Sequence, residues 1–467
     1  MISLLQEKQR SEHAQHRAGG RTFLKYGISA VASCFLAYMS YYIVRNNFAL
    51  STPYLKQHLS LTSTQIGLLS SVLLISYGLS KGFMSALADK ASPRKYLAVG
   101  LACCALVNLA FVFTTGLWEF VILLALLGLF QGTGAAPAYI TMANWFPKRL
   151  RGRVGALWNI SHNIGGGIVA PVITAGIVFF GVDGWQYAVY VLPAMLALAV
   201  VPLVLVLGKD SPRAEGFTPL EEDPSVHTAR KPLPWDEAHP GRELSTWQIF
   251  RRYVLPNKSA WYTAMVDACV YVIRFGMVSW MPLYLTEYKH FSMAEMSVAF
   301  LLFEWAAIPS TLLAGWISDT FFKGQRMPLA IISTLMIIVC IVGYWKATSV
   351  VSVVIFTAMI GCLIYIPQFL ASVQGMEIVP SFAVGSMTGL RGFMSYIIGA
   401  TAGTTLIGIA VDRMGWDGGI MVLFGGSLLC VLFCILAHIQ VLKMNRRHVT
   451  PAPTVTDTPT PVSRTTV

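Results

Sequence analysis

Uncharged runs alternate with short charged ones along almost the whole chain. Twelve windows carry few or no ionisable side chains: 26–55, 64–88, 96–115, 118–143, 154–181, 185–208, 259–285, 294–318, 329–347, 351–374, 384–411 and 418–442. About 20 such residues suffice for a helix to cross the hydrocarbon core of a bilayer. The pattern therefore predicts an all-α membrane protein of twelve transmembrane helices. The windows fall six and six. Between the sets, residues 209–258 are rich in Pro and in charges of both signs, lack an apolar period, and read as a linker. The expected organisation is an N-terminal tail (1–25), a six-helix bundle (26–208), the linker (209–258), a second six-helix bundle (259–443) and a Thr/Pro-rich disordered tail (444–467).

Composition narrows the class. Only 12% of the residues are charged and 55% are apolar, against roughly 25% charged in a soluble domain, which excludes a soluble protein. The net charge of +12 looks like a nucleic-acid footprint until the positions are counted. Of 34 Lys and Arg, 26 lie in tails and loops on the side of the N-terminus, and only Lys56, Lys289, Lys346 and Arg413 in the loops opposite. Basic loops stay in the cytosol, so both termini and the linker are expected there, with the bilayer rather than nucleic acid as partner. The polar N-terminal stretch lacks the charged-then-apolar layout of a secretory signal. The eight cysteines all lie in apolar runs and read as small core residues. No metal or cofactor is expected.

An internal repeat runs through the two halves. Tyr42, Arg45 and Pro53 in the first window recur with identical spacing as Tyr271, Arg274 and Pro282 in the seventh. Asp89 and Asp319 follow the second and eighth windows, and Gly155 to Gly165 matches the ten-residue spacing of Gly389 to Gly399. Three matches in one order argue for two equivalent halves, a construction common among transporters.

The remaining four cations, Arg45, Lys81, Arg274 and Arg391, fall inside predicted spans. Each costs about 2.5–3.5 kcal/mol at the centre of a span on insertion scales, so something must offset them. Arg45 and Arg274 occupy equivalent positions, which points to a functional pair facing one central cavity; the competing reading is an ion pair of Arg274 with Asp267 or Glu304. Guanidinium keeps its charge and offers a planar fork of donors, so two facing Arg side chains form a clamp for a doubly charged oxyanion. His162 can donate to the same oxyanion, and Tyr38, Tyr42 and Tyr271, on the Arg-bearing faces, can add neutral donors or simply pack. Lys81 either snorkels to the interface or meets the ligand. Arg391 has Thr388 rather than an acid one turn before it, and as a third cation it suits a phosphate ester that also carries a carboxylate. No phosphate-binding Gly-rich loop and no nucleophile with a base is recognisable, so neither an ATP-driven pump nor an enzyme is expected.

The segments VRNNFALSTPYL, YGLSKGFMSALADKASPRK, WNISHNIGGGI and VIRFGMVSWMPLYL resemble the organophosphate:phosphate antiporters of the major facilitator superfamily, over nearly the whole chain. The resemblance implies an inner-membrane exchanger, working by alternating access, that takes up an organic phosphate against inorganic phosphate. It places the family's paired arginines on Arg45 and Arg274, its helix-5 histidine on His162 and its helix-2 lysine on Lys81. Some members have a basic residue where Asn46 stands here, and the position of Arg391 varies between members. Combined with the carboxylate reading of Arg391, the expected substrates are phosphoglycerates and phosphoenolpyruvate, carried by a single chain. The alternatives are glycerol phosphate, a hexose phosphate, or a transporter-like phosphate-ester receptor.

Overall fold

The computed structural model describes residues 20–88, 91–217, 244–380 and 383–449. Asp89 of the loop repeat, most of the N-terminal tail, the centre of the linker and the Thr/Pro-rich tail lie outside the described residues. The helices are Arg21–Leu59 (α1), Ser63–Ser85 (α2), Pro93–Phe113 (α3), Leu117–Trp145 (α4), Leu150–Phe180 (α5), Tyr187–Leu207 (α6), Lys258–Tyr288 (α7), Met293–Phe321 (α8), Arg326–Lys346 (α9) and Val350–Glu377 (α10). A last helical stretch, Val384–Met444, is broken at Gly415 (φ 70°). That left-handed backbone is open to glycine at little cost and divides the stretch into α11 (384–414) and α12 (416–444).

Helix starts follow the local sequence. The Asn257 side chain accepts from the amides of Ser259 and Ala260 at the head of α7, and Ser292 with Glu295 forms a capping box at the head of α8. The first helix begins at Arg21, inside the expected tail, and Thr246–Ile249 continued by Phe250–Val254 forms a short linker helix where the sequence suggested none. Its Ile249 and Val254 bury against Ala260, Ala264 and Met387 of α7 and α11; an apolar pair on so short a stretch carries too little periodicity to be recognised.

The two six-helix halves repeat one arrangement. In the first, α5 crosses α1 so closely at Gly165 that a Cβ there would overlap the Met39 carbonyl; in the second, α11 crosses α7 at Gly399 against the Ala268 carbonyl. Only glycine permits such backbone approach. The halves meet along α1 with α7, α2 with α11, and α5 with α8.

At the end of the molecule away from the termini the halves are zipped together. Lys56 Nζ lies 2.7 Å from Glu287 Oε2. The Asp412 carboxylate accepts from the amides of Ser63 (3.0 Å) and Thr64 (2.6 Å) at the head of α2. Ser71 Oγ bonds the hydroxyls of Thr404 and Thr405, both at 2.6 Å. Toward the terminal face, by contrast, a side chain added at Gly152, Gly155, Gly385 or Gly389 would meet open space. The halves are therefore joined at the far face, while open space borders one side of α5 and of α11 near the terminal face.

Candidate functional site

Arg45 on α1 and Arg274 on α7 are each 4% exposed, and neither forms an ion pair among the described residues. Aromatic rings surround them instead. The Arg45 guanidinium carbon lies 4.4 Å from the Tyr77 ring centroid and 5.3 Å from that of Tyr42; that of Arg274 lies 4.6 Å from Tyr365. Both approach Phe275, Arg45 at 5.7 Å and Arg274 at 5.4 Å. Ring quadrupoles attract cations by up to about 2 kcal/mol where water is excluded, which partly offsets burial without neutralising the charge. Among the described residues Arg45 Nη2 and Arg274 Nε are buried donors without hydrogen-bond partners, and Arg274 Nη1 donates to the Gln368 amide oxygen at 3.4 Å. A small cavity lined by Arg45, Asn46, Ser70, Phe275 and Ser279 among others lies beside Arg45, and Arg274 is not part of its lining.

The acids do not hold Arg274. Glu304 on α8 accepts from Tyr365 Oη (3.2 Å), Asn163 Nδ2 (3.1 Å) and Asn46 Nδ2 (3.4 Å), so its carboxylate is bound by neutral donors from both halves. Asp267 pairs with Arg391 Nε, while Arg391 Nη2 donates to Ser372 Oγ at 2.6 Å. This corrects the sequence reading in one respect: Arg391 is not an uncompensated cation. Its carboxylate comes from α7, 124 residues away, where inspection of α11 alone could not find it. Lys81 is exposed, with no ion pair among the described residues, on the stretch of α2 nearest the terminal face.

His162 on α5 is buried among Tyr42 (5.1 Å between ring centroids), Tyr365 (5.9 Å) and Tyr38 (6.5 Å). Its Nδ1 faces the Asn159 carbonyl oxygen; a carbonyl only accepts, so Nδ1 carries the proton and Nε2 is the atom left to meet a ligand. Tyr38 packs on Trp158 at 4.5 Å and on Tyr42 at 5.4 Å. Tyr271 lies farther round the cluster, 5.4 Å from Phe275 and 5.0 Å from Tyr396.

Sequence reasoning missed Tyr77, Tyr365, Tyr396, Phe275 and Gln368. One signal was available for Tyr396: the glycine repeat that aligns Gly155 with Gly389 and Gly165 with Gly399 also aligns His162 with Tyr396. A π-helical turn over Met394–Ala400 carries this tyrosine against Tyr77 of the other half at 4.9 Å.

The Major Facilitator Superfamily model matches residues 34–404. The chain is 56% identical to the phosphoglycerate transporter protein of Salmonella typhimurium over 96% of each sequence. It is 30% identical to the hexose-6-phosphate:phosphate antiporter of Escherichia coli strain K12, over 88% of this chain and 89% of the relative. A crystal structure of a bacterial homologue of the human lysosomal transporter Spinster shares the fold, with a TM-score of 0.71 at 14% identity, covering 92% of this chain and 98% of that one. Twelve spans in two repeated halves, a buried arginine from each half and these likenesses agree: the chain belongs to the major facilitator superfamily, among its organophosphate:phosphate antiporters.

Proposed function

We propose that this chain takes up phosphoglycerates, and phosphoenolpyruvate, in exchange for inorganic phosphate across a bacterial inner membrane, with both termini in the cytoplasm. The observation that carries the reading is the pair Arg45 and Arg274, from opposite halves, buried and sharing Phe275 without an ion pair among the described residues. Two such forks fit a doubly charged phosphate. The name of the Salmonella relative supports the choice of ester. On this orientation the terminal face is the cytoplasmic one, and the described state is closed to the outside.

The halves, 26–208 and 259–443, rock about the site, with the anion bridging the arginines. An occupied site is neutralised and closes; an empty one leaves two facing cations that resist closing, so exchange is favoured over leak. Tyr38, Tyr42, Tyr271 and His162 line and shape the chamber, and Lys81 draws anions toward it from the cytoplasm. Arg391 serves the carboxylate by partner exchange: a phosphoglycerate carboxylate takes the place of Asp267, whereas inorganic phosphate has no group to do so. Competition of a panel of organic phosphates against radiolabelled phosphate exchange in proteoliposomes tests the assignment. Phosphoglycerates should compete best; stronger competition by glycerol phosphate or a hexose phosphate would reassign the substrate, and absence of counterflow by the purified chain would leave a receptor role.

A further inference from the structure

A groove separate from the central site opens on the flank of the second half, near the terminal face. It is a wide, open groove lined by Trp247 and Phe250 of the linker helix, Trp261 of α7, and Gly389, Phe393 and Met394 of α11. Burial of Ile249 and Val254 fixes the linker helix against α7 and α11, and Trp247 and Phe250 stack 5.7 Å apart along the groove. No part of the described chain fills it: Trp247 is 65% and Phe393 51% exposed, and a side chain at Gly389 would meet open space. The groove lies at the ends of two spanning helices, with tryptophans of the kind that anchor at the lipid–water interface. Arg251 and Arg252 follow Phe250 directly, Lys258 lies one turn before Trp261, and all three are exposed. No ion pair holds any of them among the described residues.

We propose that this groove binds an anionic phospholipid of the surrounding bilayer, an acyl chain lying against Gly389 and the aromatic rings and the headgroup phosphate against Arg251 and Arg252. Apolar slot and unpaired cations occur together at interfacial depth, which matches the two parts of such a lipid and neither part of a soluble ligand. The proposal stands independently of the transported substrate.

Native mass spectrometry of the purified full chain, offered equal amounts of phosphatidylglycerol and phosphatidylcholine with the same acyl chains, tests it. Phosphatidylglycerol should be retained in preference by about 25-fold, since each of the two arginines beside an anionic headgroup contributes about fivefold. R251Q/R252Q, exposed on the surface and not expected to disturb folding, should abolish that preference. G389L should fill the groove and lower retention of both lipids. Equal retention of the two lipids by the unsubstituted protein, an undiminished preference in R251Q/R252Q, or unchanged lipid retention in G389L would overturn the site.

Discussion

Arg45 and Arg274, contributed by different halves, rest on one shared ring: their guanidinium carbons lie 5.7 and 5.4 Å from the centroid of Phe275. A single aromatic side chain thus lies between two like charges that form no ion pair among the described residues, with a spare donor on each. On the proposed function, the arrangement suits a divalent anion.

Arg45→Lys and Arg274→Lys keep the charge and lose the fork. Hydrogen bonds to charged groups contribute about 1.5–3 kcal/mol each, so phosphate counterflow in proteoliposomes should fall by about two orders of magnitude or more in either variant, while membrane insertion continues. Normal exchange by either would refute the clamp.

The Arg391 and Asp267 pair should separate substrates by their carboxylate. Removing one partner alone leaves a buried charge, at a cost of about 3–5 kcal/mol, so the informative variant changes both. Arg391→Thr with Asp267→Asn is expected to reduce phosphoglycerate uptake much more than phosphate self-exchange. Equal losses would remove the carboxylate role.

The glycine repeat should split into two behaviours. At Gly165 and Gly399 an added methyl meets a backbone carbonyl, whereas at Gly155 and Gly389 it meets nothing. Overpacking costs typically about 1–3 kcal/mol, so Gly165→Ala and Gly399→Ala should each lower the melting temperature in detergent, and Gly155→Ala and Gly389→Ala should not. A uniform response at all four positions would contradict the close crossings.

Asp412 and the Lys56–Glu287 pair both join the halves at the far face. Asp412 meets the amides at the head of α2, where a negative charge is favoured. Asp412→Asn combined with Lys56→Met should shift the population toward a form open on the far face. Spin labels at Gln57 and Tyr288 should then report a longer mean distance; an unchanged distribution would show that the Ser71, Thr404 and Thr405 contacts suffice.

The chain's own sequence determined the twelve spans, the two-fold repeat and the identity of the buried arginines, because the bilayer penalises charge residue by residue and leaves a legible pattern. Tertiary structure decided which of those cations are free. Arg274 and Arg391 look alike along the chain, yet Asp267 reaches Arg391 and Glu304 is bound by Asn46, Asn163 and Tyr365. Such pairings join residues on different helices, and periodicity within one helix holds no record of which neighbour it faces. The aromatic lining is of the same kind: Tyr77, Tyr365 and Tyr396 sit in apolar runs like any packing residue, and only the crossing of the halves turns them toward the arginines.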